Sequence, residues 1–297
     1  MDKKILSWIF LTITMMLWGM SFVWTRQLLA FFSPITIITL RLFISTIFLL
    51  VFSISINKLQ KVKKHDIKYF ILLSLFQPFL YFVFEGYGIK ATSASVAAIV
   101  ISTIPLFTPI GALIFFNKRI SLMNLSGLII SFVGVVLIVF NNSGEASFTI
   151  KGLLILLGAV FSAVGYLLVL KNIAQKYNAF SVATWQNFFG IIYFIPLFLF
   201  LSIDEFKGFA LTFDILYPLL ALSILASSVA FIFNTYGVRE LGPTKAASFT
   251  NSVPVFTVVF AWLIIDEPVG FIKMVGMSIV LVGLFIAQIS KKKIKLL

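Results

Sequence analysis

Cysteine is absent from the 297 residues, which removes disulfides, thiolate metal sites and cysteine nucleophiles. Histidine occurs once, as His65, so a zinc site built on two histidines is excluded as well. His65 lies in the basic stretch 58–68 and reads as a solvated loop residue. Charge is scarce: 11% of residues are charged, against about 25% in a soluble chain of ordinary composition. There is no G-x-S-x-G, no P-loop and no intramembrane carboxylate pair, which argues against a polytopic membrane enzyme and excludes an ATP-driven pump. The chain is therefore read as a non-enzyme without a cofactor or metal, and the polytopic enzyme is kept as the alternative.

What is present is apolar. Hydrophobic residues make up 61% of the chain, phenylalanine alone occurs 35 times, and the mean hydropathy is +1.11. So few polar residues cannot cover a water-facing surface of this size, so lipid must be the solvent. The net charge of +13 invites a nucleic-acid reading. That reading fails, because the basic residues sit in short gaps between apolar runs and form no contiguous face.

A membrane-spanning helix needs about 20 mostly apolar residues. Ten such runs occur, at 5–27, 34–56, 69–88, 94–116, 122–140, 152–170, 180–202, 215–238, 246–265 and 271–290. The first follows Lys3 and Lys4, as a signal peptide would, but it is too long and lacks a small-x-small cleavage site. Seventeen of the 23 Lys and Arg residues lie where a cytoplasmic N-terminus would put them inside. Five lie opposite (Arg26, Lys90, Lys151, Lys207 and Lys273), and Arg41 is within a span. The positive-inside rule then places both termini in the cytoplasm and the 141–150 loop outside.

The two halves resemble each other. A shift of 149 residues lays Phe84 on Phe233, Tyr87-Gly88 on Tyr236-Gly237, Pro105 on Pro254, Phe107-Thr108 on Phe256-Thr257, Gly127 on Gly276 and Gly134 on Gly283. Matched prolines and glycines carry the most weight, because they constrain the backbone. Each repeat holds five spans, an odd number, so the second enters the membrane from the opposite side. The expected fold is all-α, with ten transmembrane helices in two inverted five-helix repeats: 1–141, then 150–290, then a basic cytoplasmic tail at 291–297. Inverted repeats are characteristic of secondary transporters, whose substrate sites lie near the midplane. Pro105 and Pro254 fall near the middle of spans four and nine and predict hinges there. The Gly127/Gly134 and Gly276/Gly283 pairs, seven apart, are packing positions.

Trp18-Gly19-Met20-Ser21-Phe22 in span one resembles the W-G-x-x-F pattern of EamA-type members of the drug/metabolite transporter superfamily. So do Arg41 after Pro34, Tyr87-Gly88 with the following Ala91-Thr92-Ser93-Ala94, and Pro105. The resemblance covers the whole chain. It implies a bacterial inner-membrane carrier that exports amino acids or other small metabolites. The second repeat departs from it, with Ala163-Val164 where Trp18-Gly19 would stand. Spans two and seven need a slightly different shift, which places Gln186 opposite Arg41, so strict symmetry of the site is not expected.

A charge near the bilayer centre costs about 2.5–3.5 kcal/mol on insertion scales and needs a reason to be there. Arg41 and Glu85 are the two that qualify, about 10 Å and about 5 Å in from the outer ends of spans two and three at a rise of 1.5 Å per residue. They are close enough in depth to pair, either as a structural brace or as a gate in which Glu85 carries a coupling proton. Gln77, Tyr81, Glu85 and Gly88 share one face of span three; Ala98, Ser102, Pro105 and Pro109 share one of span four; and Ala247, Asn251 and Pro254 share one of span nine. A substrate pathway between the repeats is expected from spans one, three, four, seven and nine, with Trp18, Ser21, Gln77, Tyr81, Trp185, Asn234 and Asn251 as candidates. The expected partners are a small-molecule substrate and the lipid bilayer, with protons and a second copy of the chain left open.

Overall fold

The computed structural model describes residues 2–116, 150–206 and 212–288, with isolated positions between 123 and 137. Span five therefore lies largely outside the described residues, as do the 141–149 loop and the 291–297 tail. Among the described residues there is no strand, and eight helical stretches are long and apolar enough to cross a membrane.

The first two helices, α1 (Lys3–Leu28) and α2 (Pro34–Ser55), are continuous. Ser33 caps α2, and Pro34 takes the first position, where a missing N–H goes unnoticed. The next two runs are interrupted. α3 (Ile67–Ser74) passes through a wide, π-type turn at Leu75–Leu80 before α4 (Tyr81–Ala91), with Gln77 extended and Pro78 after it. α5 (Ala94–Ile101) ends at a turn, and α6 (Ile104–Phe116) starts afresh with Pro105 as its second residue. A proline in the middle of span four predicts a bend in one continuous helix. Instead the helix breaks, and the proline sits in the first turn of the new segment, where it removes no interior hydrogen bond. Ser102 and Thr103 donate their hydroxyls to the carbonyls of Ile99 and Val100, each at 2.7 Å, satisfying backbone groups in a layer that has no water to do so.

The second half carries the same interruptions. α7 (Ile150–Lys176) and α8 (Ala179–Leu201) are continuous, and Asn178 caps α8 as Ser33 caps α2. α9 (Phe213–Leu220) reaches α10 (Ala230–Leu241) through a second π-type turn at Ala221–Val229. Ser74 Oγ donates to Phe70 O at 2.8 Å just before the first wide turn, and Ser223 Oγ donates to Leu219 O at 2.6 Å, 149 positions on. α11 (Pro243–Ser248) leads through a 3₁₀ turn at Phe249–Ser252 into α12 (Val253–Ile265), where Pro254 is again the second residue. Thr250 and Ser252 donate to the carbonyls of Ala247 and Phe249. α13 (Phe271–Gln288) closes the described chain.

Packing crosses between the halves. α2 and α8 run antiparallel and are joined along their length by Ser33–Ser202 (3.2 Å), Ser45–Asn187 (2.7 Å) and Ser53–Thr184 (3.1 Å). α1 packs on α12 so closely that a Cβ on Gly19 would stand 2.7 Å from Phe256 Cβ. A Cβ on Gly134 would lie 2.7 Å from Gly276 O, so the glycines expected to mark close contact do so. Large apolar side chains such as Phe200, Phe213 and Phe271 point outward, as a lipid-facing surface requires.

A carboxylate ties the two halves together near each end of the α2–α8 pair. At one end buried Asp66, just before α3, accepts from Lys176 Nζ at the end of α7 at 2.7 Å and from Tyr177 Oη, in the connection to α8, at 2.9 Å. At the other, Glu205 Oε2 accepts from Thr36 Oγ1 at 2.6 Å and from Ser33 N at 3.0 Å.

Candidate functional site

The interrupted helices surround a cavity that is partly open to the outside, with about 640 Å³ of space not filled by atoms when its open mouth is included. Its walls come from both halves of the chain. Trp18, Ser21 and Phe22 of α1, Arg41 of α2, and Gln77, Tyr81, Phe82 and Glu85 of the third run form one part. Ala163, Tyr166 and Leu167 of α7 and Asn234 of α10 form another. The broken helices supply Ile101 and Ile104 on one side and Ala246, Ala247, Thr250 and Val253 on the other.

Arg41 and Glu85 are both buried, at 3% and 6% exposure. The guanidinium is held from three directions. Nη1 lies 3.9 Å from Glu85 Oε2, Nε donates to Ser227 Oγ at 2.8 Å, and the plane sits 4.0 Å from the centre of the Phe82 ring. Behind it Asn187 Nδ2 donates to Ser45 Oγ (2.7 Å) and to Ser227 O (3.0 Å), and Ser45 Oγ meets Ser228 Oγ at 2.7 Å. These groups satisfy the backbone loosened by the second wide turn, and in doing so they fix Ser227 as a partner for Arg41. Trp18 Nε1 reaches Ala226 O at 3.4 Å, and Ser21 Oγ donates back to Trp18 O at 2.7 Å.

Of the residues singled out from sequence, Trp18, Ser21, Arg41, Gln77, Tyr81, Glu85 and Asn234 come together around this cavity. Trp185 does not. It stands near the start of α8, with Nε1 donating to Gln60 O at 2.8 Å, so it belongs to a helix end and not to the midplane. Span seven contributes no lining residue, and its expected place is taken by α2, α7 and α10. Asn251 also misses the cavity, because the 3₁₀ turn rotates the chain and presents Thr250 and Val253 in its stead. Gly88 faces Leu156, and in the fourth run Ile101 and Ile104 reach the cavity in place of the Ala98–Ser102–Pro105 face. Pro105 and Pro254 stand beside the lining residues Ile104 and Val253 without lining the cavity themselves.

Tyr166 was not singled out from sequence. The signal was present: the 145-residue shift that lays Gln186 on Arg41 also lays Tyr166 on Ser21.

Comparison with known proteins agrees with this architecture. The model of the EamA-like transporter family matches the chain twice, over residues 6–140 and 150–288. An uncharacterized transporter of Archaeoglobus fulgidus is 27% identical over 281 residues, covering 94% of this chain and 98% of its own length. The uncharacterized transporter YetK of Bacillus subtilis is 25% identical, covering 86% of this chain and 78% of its own. A WAT1-related chloroplastic protein of Arabidopsis thaliana is 24% identical over 97% of this chain and 70% of its own. A solved crystal structure superposes with a TM-score of 0.71 at 13% identity, covering 99% of each chain, which speaks for the fold alone.

Proposed function

The chain belongs to the EamA-like transporter family, and from that premise we propose that it is a secondary active carrier that exports amino acids or other small metabolites across a bacterial inner membrane. The observation that carries this reading is the cavity itself. It lies where the interrupted backbones of both halves meet, and broken helices around a midplane site are how carriers of this kind expose polar groups to cargo. Ten spans in two inverted five-helix repeats, with both termini cytoplasmic, make up the frame. Its support is the recurrence of wide turns, breaks and serine bonds at one 149-residue spacing, together with the doubled family match. The breaks ahead of Pro105 and Pro254 serve as hinges.

Glu85 carries the coupling proton in this reading. When the Arg41–Glu85 pair separates, both charges are left in a low-dielectric layer, and a neutral carboxyl is cheaper to leave unpaired. Protonation of Glu85 then accompanies opening on the outer side, giving exchange of protons for cargo. Uptake of isotope-labelled metabolites into vesicles under an imposed pH gradient tests both parts. A folded Glu85→Gln protein is expected to lose pH-driven transport and keep exchange of cargo for cargo; normal proton-driven transport would end the coupling. Catalysis in place of any transport would favour the polytopic enzyme. For orientation, Ser143→Cys and Lys292→Cys are expected to label from opposite faces, and labelling of both from outside intact cells would contradict it.

A further inference from the structure

A second polar group meets the cavity, and it holds no charge. Tyr166 and Asn234 line the wall, and Gln186 and Thr235 gather with Asn234 about the Tyr166 hydroxyl. All four residues are at most 2% exposed. Five of their side-chain atoms, Tyr166 Oη, Gln186 Nε2, Gln186 Oε1, Asn234 Nδ2 and Thr235 Oγ1, have no hydrogen-bond partner of good geometry. Buried polar atoms are nearly always paired in folded proteins, so five in one cluster beside a cavity require an explanation. Five other buried side-chain atoms, Trp24 Nε1, Gln27 Oε1, Thr46 Oγ1, Ser95 Oγ and Asn251 Oδ1, also lack a partner, but they are spread over five residues of which none belongs to this cluster, and the Ser45–Asn187–Ser227 network beside it is satisfied.

The positions are informative. The 145-residue shift places Tyr166 on Ser21 and Gln186 on Arg41, and the 149-residue shift places Asn234 on Glu85. The scaffold sites that hold a charged pair in the first half therefore hold two carboxamides in the second. The two groups are close. Phe231 packs edge-on against Phe82, whose face carries Arg41, at 6.2 Å and against Tyr166 at 6.3 Å, so a single ring bridges them. Carboxamides and hydroxyls donate and accept together, and with no counter-charge beside them they suit an uncharged partner that does the same. An ion would find its match at Arg41 or Glu85 instead.

We propose that Tyr166 and Asn234, with Gln186 behind them against the Tyr166 hydroxyl, form a recognition subsite for an uncharged hydroxyl or carboxamide of the cargo. The carrier then selects small metabolites that pair a charged head with such a group a few bonds away. This rests on the carrier reading above. Leaving a buried polar atom unpaired when the wrong cargo binds makes discrimination of about ten- to a hundredfold reasonable.

The test is competition in proteoliposome counterflow between near-isosteric amino acids that differ in one polar group: threonine against valine, tyrosine against phenylalanine, asparagine against leucine. Binding of the same compounds is read in parallel by thermal shift of the purified protein. The wild type is expected to prefer the hydroxyl or amide member of at least one pair by tenfold or more. Tyr166→Phe and Asn234→Leu are expected to bring that ratio close to one, the ratio and not the rate being the readout. Equal treatment of every pair by the wild type, or a preference that survives in both variants, would overturn the subsite. Discriminating binding without counterflow would overturn the carrier reading and leave the subsite standing. The absence of both binding and counterflow would overturn the two together.

Discussion

Arg41 Nη1 lies 3.9 Å from Glu85 Oε2, while its Nε makes a shorter bond, 2.8 Å, to the hydroxyl of Ser227. The arginine is thus anchored to the second half of the chain and only loosely held by the carboxylate on α4. A loose pair between two buried groups suits a contact that forms and breaks, whereas a permanent brace would favour short bidentate geometry.

The two partners should therefore respond unequally to substitution. Arg41→Ala strips Glu85 of its counter-charge and Ser227 of its donor, and removal of one partner of a buried pair costs about 3–5 kcal/mol. Glu85→Gln leaves the shape intact and Arg41 with its Ser227 bond and Phe82 contact, so its effect should be clearly smaller. Thermal unfolding of the purified proteins measures both. An equal loss for the two variants would indicate a rigid brace.

The Glu205 clasp predicts a pH dependence. Burial pushes its carboxyl up, but the bonds from Thr36 Oγ1 and the Ser33 amide outweigh this and hold it below the ordinary value of 4.5. A depressed carboxyl contributes stability that is complete above the unfolded value and disappears as pH falls through the lower folded value. Stability should thus be insensitive to Glu205 between pH 6 and 8 and fall below about pH 4.5 in the wild type more steeply than in Glu205→Gln. Melting curves of the two proteins across that range decide it, and parallel curves would remove the clasp as a stabilising contact.

At the opposite end, Tyr177 Oη both donates to Asp66 and accepts from the Lys63 amide at 3.1 Å. Tyr177→Phe leaves the buried Asp66 short of a donor and should destabilise by about 1–3 kcal/mol. Lys176→Met removes a half-exposed, solvent-screened partner of the same carboxylate and should cost less than Tyr177→Phe. Denaturation of both variants tests the order, and the reverse order would show that the salt bridge holds the loop.

Much of this arrangement was legible in the sequence. Run length marked apolar stretches, eight of which are long enough to cross a membrane among the described residues, and the matched Pro105 and Pro254 each stand second in the helix that follows a break. Helical spacing put Gln77, Tyr81 and Glu85 on one face, and depth counted from the span ends put Arg41 and Glu85 close enough to pair. The failures have local causes. An unbroken run of apolar letters does not reveal that the helix stops at Ser102–Thr103 or turns as 3₁₀ at Phe249–Ser252, and that rotation moved Asn251 off the cavity. Trp185 stands in an apolar span, and residue type alone does not show its depth. Its distance from the Asn178 cap, about 10 Å at 1.5 Å per residue, already placed it near the helix end.

The central claim is that the cavity between the halves is the path taken by cargo, and counterflow by a cavity-filled variant tests it most directly. Thr250 lines the cavity and is 7% exposed, so Thr250→Trp should occupy the space without removing any group from the clasps. Purified wild type in proteoliposomes is predicted to give saturable counterflow for a subset of a labelled metabolite panel. Thr250→Trp, shown to be folded by its melting curve, is predicted to give none. Folded wild type that moves no compound, or counterflow undiminished in the filled variant, would contradict the account.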